Sequence, residues 1–537
     1  MNSHQHPPVV TSIVSTAEGG VPLKRLPTIE FKKGLADGEV IKLYPSVKKQ
    51  RIEGIGSSFT EASAYVLAHM SLDDRDSVMR SLFGPEGAQF SLCRFPIGSC
   101  DFCVSGRYSH AELESDTELT SFSIANDKDG FSKECYPDVI DESYDLLPMM
   151  QEARIISDEV DQSIRFIGSA WTAPPWMKDN NAYYVSGCEQ NNFSGSGGVL
   201  LDEHYQTYAR YLVKFCQAYA NEGIDLWGLT PVNEPLGNNG QWESMHFTPG
   251  TQRRFIRDYL GPLLQKENIN LAVLILDHSR DQLELWADEL YSDPQTAKYL
   301  HGAAVHWYES TVNVYEDIFE RVHEKYPDFS IIHTEGCIDD LGNDAPDGVM
   351  DPEGYKESDW FNNDSFWWSK SASDWAYSVD WAGVDASEHP MYVPVHRYAK
   401  NIIVSLDHWV SGWIDWNCVL DQRGGPNHVG NYCGAPIMIN HSKKQIYYTP
   451  IFYVLSQFSR SIRPGDYAIK VETALSPNVK KNVFSSATIN NKNNIIIQIL
   501  NTNKCMHELK IELDGYSANF AAEPNSLSTI TIKFLGM

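Results

Sequence analysis

The sequence predicts an α/β chain: a (β/α)8 barrel with an accessory β-sandwich built from strands at both chain ends. Three observations carry this expectation. Eight short apolar runs recur between residues 52 and 417, with longer amphipathic segments between them. Polar residues gather at the C-terminal ends of those runs, where TIM-barrel enzymes keep their active sites. Beyond about residue 450 the alternation stops and only strand-like stretches follow. Alternating strands and helices also fit an open doubly wound sheet; the count of eight and the polar strand ends favour the closed barrel.

In chain order, residues 1–20 read as a flexible tail, and residues 21–51 hold short alternating stretches such as Thr28-Ile29-Glu30-Phe31, taken as strands of the accessory domain. The barrel is expected over 52–445. Its runs are IEGIGSSF (52–59), QFSLCRFP (89–96), IRFIGSAW (164–171), DLWGLTPVNE (225–234), LAVLILDHS (271–279), GAAVHWYE (302–309), SIIHTEGC (330–337) and VSGWIDWN (410–417). Between them, residues 202–223 place Tyr208, Tyr211, Leu212, Phe215 and Tyr219 at helical spacing. An insertion at about 338–400 carries Trp360, Trp367, Trp368, Trp375 and Trp381. It leaves the end of the seventh run, so it starts at the barrel mouth. Residues 446–537, with NNIIIQILN, HELKIEL and STITIKFL, complete the accessory domain.

Composition narrows the function classes. The chain has 537 residues, enough for a large core and more than one domain. Its net charge is −28, from 43 basic and 71 acidic side chains. Such a surface repels nucleic acid and anionic membranes. Aromatics make up 12%, with 14 Trp and 27 Tyr; their faces suit sugars as well as packing. No run reaches the roughly 20 apolar residues of a membrane span. The N-terminus has no Lys or Arg before residue 24 and does not read as a secretory signal. The ten cysteines follow no disulfide spacing. A cytoplasmic protein is expected, with leaderless export left open, and an oligomer is compatible with the composition.

The polar strand ends suggest chemistry. Strand two leads to Asp101 and Phe102, strand three to Trp171, strand four to Asn233 and Glu234, strand five to Asp277 and His278. Strand six gives His306 and Tyr308, strand seven His333 and Glu335, strand eight Asp415 and Trp416. Carboxylates, amides and indoles without clustered Lys or Arg suit a polyol and are poor for a phosphate. Glu234 and Glu335 end strands four and seven, which face each other across an eight-stranded barrel. Two carboxyl groups so placed can flank a glycosidic bond, one donating a proton and the other attacking the anomeric carbon. A structural salt bridge explains any one of these acids; it explains the pair beside Trp171, Trp416 and Asp101 less well. Asn233 is placed to bond a sugar hydroxyl, and Tyr308 to donate to Glu335 and favour its ionised form.

The stretches GIGSSFTEASA, LCRFPIGSCDFC, SAWTAPPWMKDN, TPVNEP, LDHSRDQLELWADELYSDPQTAKYLHGAAVHWYE, HTEGC and GWIDWNCVLDQRGGPNHVGNYCGAPIMI are together highly specific. From about residue 51 to 460 the chain resembles the family 30 glycoside hydrolases, its glucosylceramidase-type β-glucosidases above all. The resemblance implies Glu234 as acid/base and Glu335 as nucleophile of a retaining reaction without metal or cofactor. It implies a glucose pocket holding Asp101, Trp171, Trp416 and Asn427, with His306 and Tyr308 at its rim. The expected substrate is a small or oligosaccharide β-glucoside, glycolipids included. Same-fold alternatives are an endo-β-1,6-glucanase, a β-xylosidase or a β-fucosidase; a non-catalytic carbohydrate binder is the alternative of another class. The long insertion after Cys337 departs from the family pattern on the leaving-group side.

Weaker signals carry less. Cys100 and Cys103 form a lone C-x-x-C, poor for zinc without a second pair. ANDKDG (125–130) lacks the acids of a calcium loop, and SGSGG (194–198) lacks the lysine of a phosphate cradle.

Overall fold

The computed structural model describes residues 7–104, 106–160, 163–184, 197–237, 242–338, 361–368 and 395–534. Eight parallel strands form the barrel in chain order: Gly54–Ser57, Leu92–Ile97, Arg165–Ala170, Leu226–Thr230, Ala272–Ser279, Leu300–His306, Ser330–Glu335 and Val410–Asp415. The second to eighth pair in sequence, and the eighth pairs with the first. Phe59 N–H donating to Arg94 O at 2.8 Å, and Ser91 N–H to Ile55 O at 3.0 Å, bring the first strand against the second and close the ring. These strands are nearly all buried along their length, which is why they read as continuous apolar runs.

Inside the barrel, Leu92, Ile167, Leu274, Ala304, Ile332 and Ile414 pack as one layer. Glycine makes room for it: a Cβ on Gly412 would come within 2.7 Å of Leu92 Cδ2. Helices cover the outside. The one over Tyr205–Asn221 buries Tyr208, Tyr211, Leu212, Phe215 and Tyr219, the stripe predicted from spacing. Helix Pro450–Ser461 packs on the first strand as the last barrel helix, so the barrel runs past residue 445, where the sequence reading ended it. Its apolar face continues the helical period beyond Pro450. After the eighth strand, Val419–Asp421, Ile437–Asn440 and Gln445–Tyr448 form a small sheet. The loop between its first two strands returns over the barrel mouth.

The accessory domain is a ten-stranded, mostly antiparallel sheet. Chain-terminal strands supply it, Val40–Arg51 and Tyr467–Ala474 pairing near its middle. Ile13, Ile41, Leu43, Ile497, Ile511, Leu513, Ile530 and Ile532 fill a core of its own. Here the expectation of a flexible tail over residues 1–20 is corrected. Val9–Ala17 is a strand, paired antiparallel with Ser526–Lys533. Ile13 and Ser15 alternate inward in VVTSIVSTA, and a bulge between Val10 and Ser12 lets Val10 be buried as well, a weak period among Ser and Thr but enough beside an unpaired edge.

Within the Trp-rich insertion, the described part is structural. Asp364–Trp368 is a short helix with Trp367 and Trp368 buried, anchored by Tyr447 donating to Asp364 Oδ1 at 2.7 Å. Trp360, Trp375 and Trp381 lie outside the described residues.

Removing residues 1–20 should cost about 3–6 kcal/mol, from Val10 and Ile13 at roughly 1.5–3 kcal/mol each. Urea unfolding of the full and shortened chains measures it; equal stability would restore the flexible-tail expectation.

Candidate active site

The site is built around Arg94, which sits mid-strand in LCRFPI with no exposed surface. Its guanidinium donates to Glu335 Oε2 at 2.6 Å, Asp277 Oδ2 at 2.8 Å, Asn233 Oδ1 at 2.6 Å and Ser169 Oγ at 3.0 Å. It also lies 4.8 Å from the centre of the Trp171 ring. Four acceptors from four other strands or strand ends thus converge on one cation.

Asp277 is the second hub. Besides Arg94, its carboxylate accepts from Ser169 Oγ and Thr230 Oγ1 at 2.6 Å, Thr334 Oγ1 at 2.7 Å and His306 Nε2 at 3.0 Å. Burial opposes its charge, but Arg94 and the His306 bond outweigh it and hold Asp277 well below the usual carboxylate range. Leu276 and Asp277 both have positive φ, 69° and 61°, and the pairing to the sixth strand slips between Ala304 and Val305. This bulge breaks the alternation of the fifth strand and aims Asp277 into the barrel. Glu234 has φ 46°, and its N–H donates to Asp277 O at 2.9 Å. Such non-glycine conformations cost about 1–3 kcal/mol each and persist when their surroundings enforce them.

Glu234 and Glu335 come together as the sequence predicts. One carboxyl oxygen from each, and a ring nitrogen of His306, lie within 4.8 Å of one another. His306 Nδ1 is 3.3 Å from Glu234 Oε1. Burial disfavours the His306 charge, but Glu335, Asp277 and Glu234 overcome that and raise its pKa to about 9. Both ring nitrogens therefore donate, to Glu234 and to Asp277. Burial also pushes Glu234 up, yet the His306 bond and the charges of His278, His306 and Arg94 leave it below its ordinary value. Glu335 goes the other way: burial raises it, the neighbouring Glu234 and Asp277 add to the rise, and His306 and Arg94 offset only part. These three side chains are also the one group of metal-ligating type among the described residues. Arg94 beneath them sets a positive charge against any cation.

An aromatic wall flanks the pair. Trp171 and Trp416 stack at 5.3 Å between centroids, and Phe102 meets Trp416 edge-on at 5.7 Å. Across from the wall, Asp101 Oδ2 accepts from Asn427 Nδ2 at 3.1 Å and Asn431 Nδ2 at 3.3 Å. Burial pushes Asp101 up to about 7. The structure therefore gathers Asp101, Phe102, Trp171, Asn233, Glu234, His306, Glu335, Trp416 and Asn427 around one mouth. Tyr308 lies beside His306 with its hydroxyl 3.3 Å from Cys337 Sγ, and Arg94 donates to Glu335. Cys100 and Cys103 are free, buried thiols beside Asp101.

Sequence reasoning missed Arg94, the hub role of Asp277, and Asn431. A signal existed for Arg94: an arginine inside a fully apolar barrel strand needs buried acids as partners. Loop position hid Asn431, since loops carry no period.

The model of the glycosyl hydrolase family 30 TIM-barrel domain matches residues 52–383 and 369–462. Lysosomal acid glucosylceramidase of Mus musculus is 29% identical over 435 residues, covering 80% of this chain and 72% of that protein. Endo-1,6-beta-D-glucanase of Neurospora crassa is 24% identical over 426 residues, covering 78% and 72%. The crystal structure of SrfJ from Salmonella typhimurium superposes with a TM-score of 0.76 at 22% identity, covering 97% of this chain and 98% of that one, a likeness of fold.

Replacing Arg94 with Gln should destabilise the protein by about 3–5 kcal/mol at pH 7, because buried carboxylates lose their cation. Asp277 is depressed in the fold, so its contribution is complete above the unfolded value of about 3.9 and is lost as pH falls through the folded value. Urea unfolding should show the Arg94→Gln penalty shrinking below pH about 4; a penalty independent of pH would contradict this account.

Proposed function

The chain belongs to glycosyl hydrolase family 30, and from that premise we propose that it is a retaining β-glycosidase removing a terminal β-glucosyl unit, of the glucosylceramidase type. The observation that carries the reading is that one carboxyl oxygen of Glu234 and one of Glu335 lie within 4.8 Å of each other across the mouth, an oxygen-to-oxygen approach that supports closely paired carboxyl groups. Retaining pairs stand roughly 5–5.5 Å apart, inverting pairs roughly 6.5–9.5 Å to admit a water. The likeness to mouse lysosomal acid glucosylceramidase over most of the barrel and the pocket of Asp101, Trp171 and Trp416 support glucose as the glycone.

Glu335 is the nucleophile, its oxygen oriented by Arg94. Glu234 is the acid/base. In the free site the proton that Glu234 must deliver rests on His306, bonded to it at 3.3 Å. Substrate entry excludes water, which disfavours the His306–Glu234 ion pair relative to its neutral form. The proton then moves to Glu234 and on to the leaving oxygen, while Glu335 attacks the anomeric carbon. Water, deprotonated by Glu234, releases the sugar. Likeness to an endo-1,6-beta-D-glucanase keeps an endo-acting β-1,6-glucanase as the second reading. Assay of 4-nitrophenyl β-glucoside, glucosylceramide and β-1,6-glucan separates the two.

Glu335→Gln should abolish turnover. Glu234→Gln should spare substrates with good leaving groups and be rescued by azide as the β-glycosyl azide. An α-azide, or rescue of neither variant, would reverse or discard the assignment.

The pH–rate profile should be a bell. Its acid limb follows protonation of Glu335, raised above the ordinary carboxylate value, and its alkaline limb follows loss of the His306–Glu234 proton, near 9 in the free site. His306→Gln should move the alkaline limb of kcat/KM to lower pH; an unmoved limb would remove His306 from the proton's path.

A further inference from the structure

Beside the glycone pocket, two charged side chains take no part in the chemistry above. Glu243 lies on the loop after the fourth strand, its side chain fully buried. It accepts from Ser99 Oγ at 2.7 Å and faces His428 Nε2 at 3.4 Å. The other ring nitrogen, His428 Nδ1, lies 3.1 Å from Cys103 O. Nδ1 against a carbonyl fits a protonated donor, while Nε2 faces the carboxylate as an ion pair without the geometry of a hydrogen bond. The backbone at His428 lies against Asp101: the His428 main-chain N–H donates to Asp101 O at 3.0 Å, and its near neighbours Asn427 and Asn431 donate through their side chains to Asp101 Oδ2.

Resting on the glycosidase reading, we propose that Glu243 and His428 are a positioning pair for Asp101, and that they govern affinity for the glycone rather than bond cleavage. The pair ties together the loops after the second, fourth and eighth strands. Asp101 recognises sugar hydroxyls best as a carboxylate, yet burial drives it toward the neutral acid. The Asn427 bond and the His428 charge oppose that drive, the charges of Glu243 and Glu335 add to it, and Glu243 keeps the charge on His428. Other charges face the pair. Arg107 Nε is 3.9 Å from Glu243 Oε1, and Lys178 Nζ donates to the adjoining Ser244 O at 3.2 Å. Among the described residues, neither Glu243 nor His428 hydrogen-bonds to Glu234 or Glu335, so the pair is expected to act on binding before it acts on rate.

The test uses the whole chain with Glu243→Gln, His428→Gln and the double variant. KM for 4-nitrophenyl β-glucoside and Kd for the glucose-shaped inhibitor 1-deoxynojirimycin should rise about tenfold in each single variant, the scale of a charge-assisted hydrogen bond. Turnover, kcat, should stay within about threefold, and the double variant should be no worse than either single one, since both remove the same link. Nitrogen-15 NMR of the histidines, with His428 assigned from its own variant, gives a readout free of activity. The His428 titration should move to lower pH in Glu243→Gln. Additive effects, a fall in kcat with unchanged KM, or an unmoved His428 titration would overturn the proposal. A native chain that neither cleaves the glucoside nor binds the inhibitor would defeat the glycosidase reading instead, and the titration would still decide whether the pair exists.

Discussion

One buried cation holds the mouth of the barrel in register. Taking a guanidinium out of water costs several kcal/mol, and the cost is met only with full pairing and good geometry. Arg94 comes close to this through the planar fork of its side chain, which reaches Glu335 with one terminal nitrogen and Asp277, Asn233 and Ser169 with the other, while its Nε is buried without a hydrogen-bond partner. A lysine offers a point charge and three donors on a flexible stem, and it would leave some of these acceptors bare. The partners come from the third, fourth, fifth and seventh strands or their ends, so the same bonds that satisfy Arg94 tie Glu335 to the strand ends that carry Asn233 and Asp277.

That arrangement requires backbone the chain would not otherwise adopt. An inward acid at Asp277 needs the fifth strand to abandon its alternation, and it does so through two consecutive residues in the left-handed region. Glu234, held by its N–H to Asp277 O, is in that region too. Strain at two neighbouring strand ends is supported by the hydrogen bonds Asp277 makes to Ser169, Thr230, Thr334 and His306. Packing alone in Leu92, Ile167 and Ile332 below does not explain these conformations; the polar layer above them does.

What the sequence makes legible follows from the same physics. Strands covered on both faces must be apolar along their length, so all eight barrel strands stand out as runs. Carboxylates at the ends of such runs are conspicuous, which makes Glu234 and Glu335 readable. Arg94 is harder, because LCRFPI reads as one more apolar strand and nothing local says which face an arginine takes. Asp277 is visible as a strand-end acid, but its turn inward depends on a bulge set by tertiary contacts. Val9–Ala17 is hidden by its serines and threonines, and its strand exists because Ser526–Lys533, more than five hundred residues on, needs a partner. Glu243, His428 and Asn431 sit in loops, where no period announces a side chain's direction.

Charge balance links the fold to the proposed reaction. Within the buried cluster Arg94 and His306 are cationic, while Asp277, Glu234 and Glu335 are the acids. Two cations against three carboxylates leave at most one net negative charge in a dry site. An oxocarbenium-like transition state carries one developing positive charge. In the proposed reaction that charge develops on the sugar ring beside an excess of carboxylate, while the leaving oxygen takes up a proton, so the net charge of the complex does not change. Preorganised charge of this kind stabilises the transition state without reorganisation at the moment of reaction. In the empty site the same imbalance is relieved by protons: burial and mutual repulsion raise Glu335, and His306 binds a proton that a solvent-exposed imidazole would release near neutral pH. Arg94 and Asp277 keep their charges throughout, because neither has a route to lose them. The movable charge is thereby confined to Glu234, Glu335 and His306, the three groups that face the substrate.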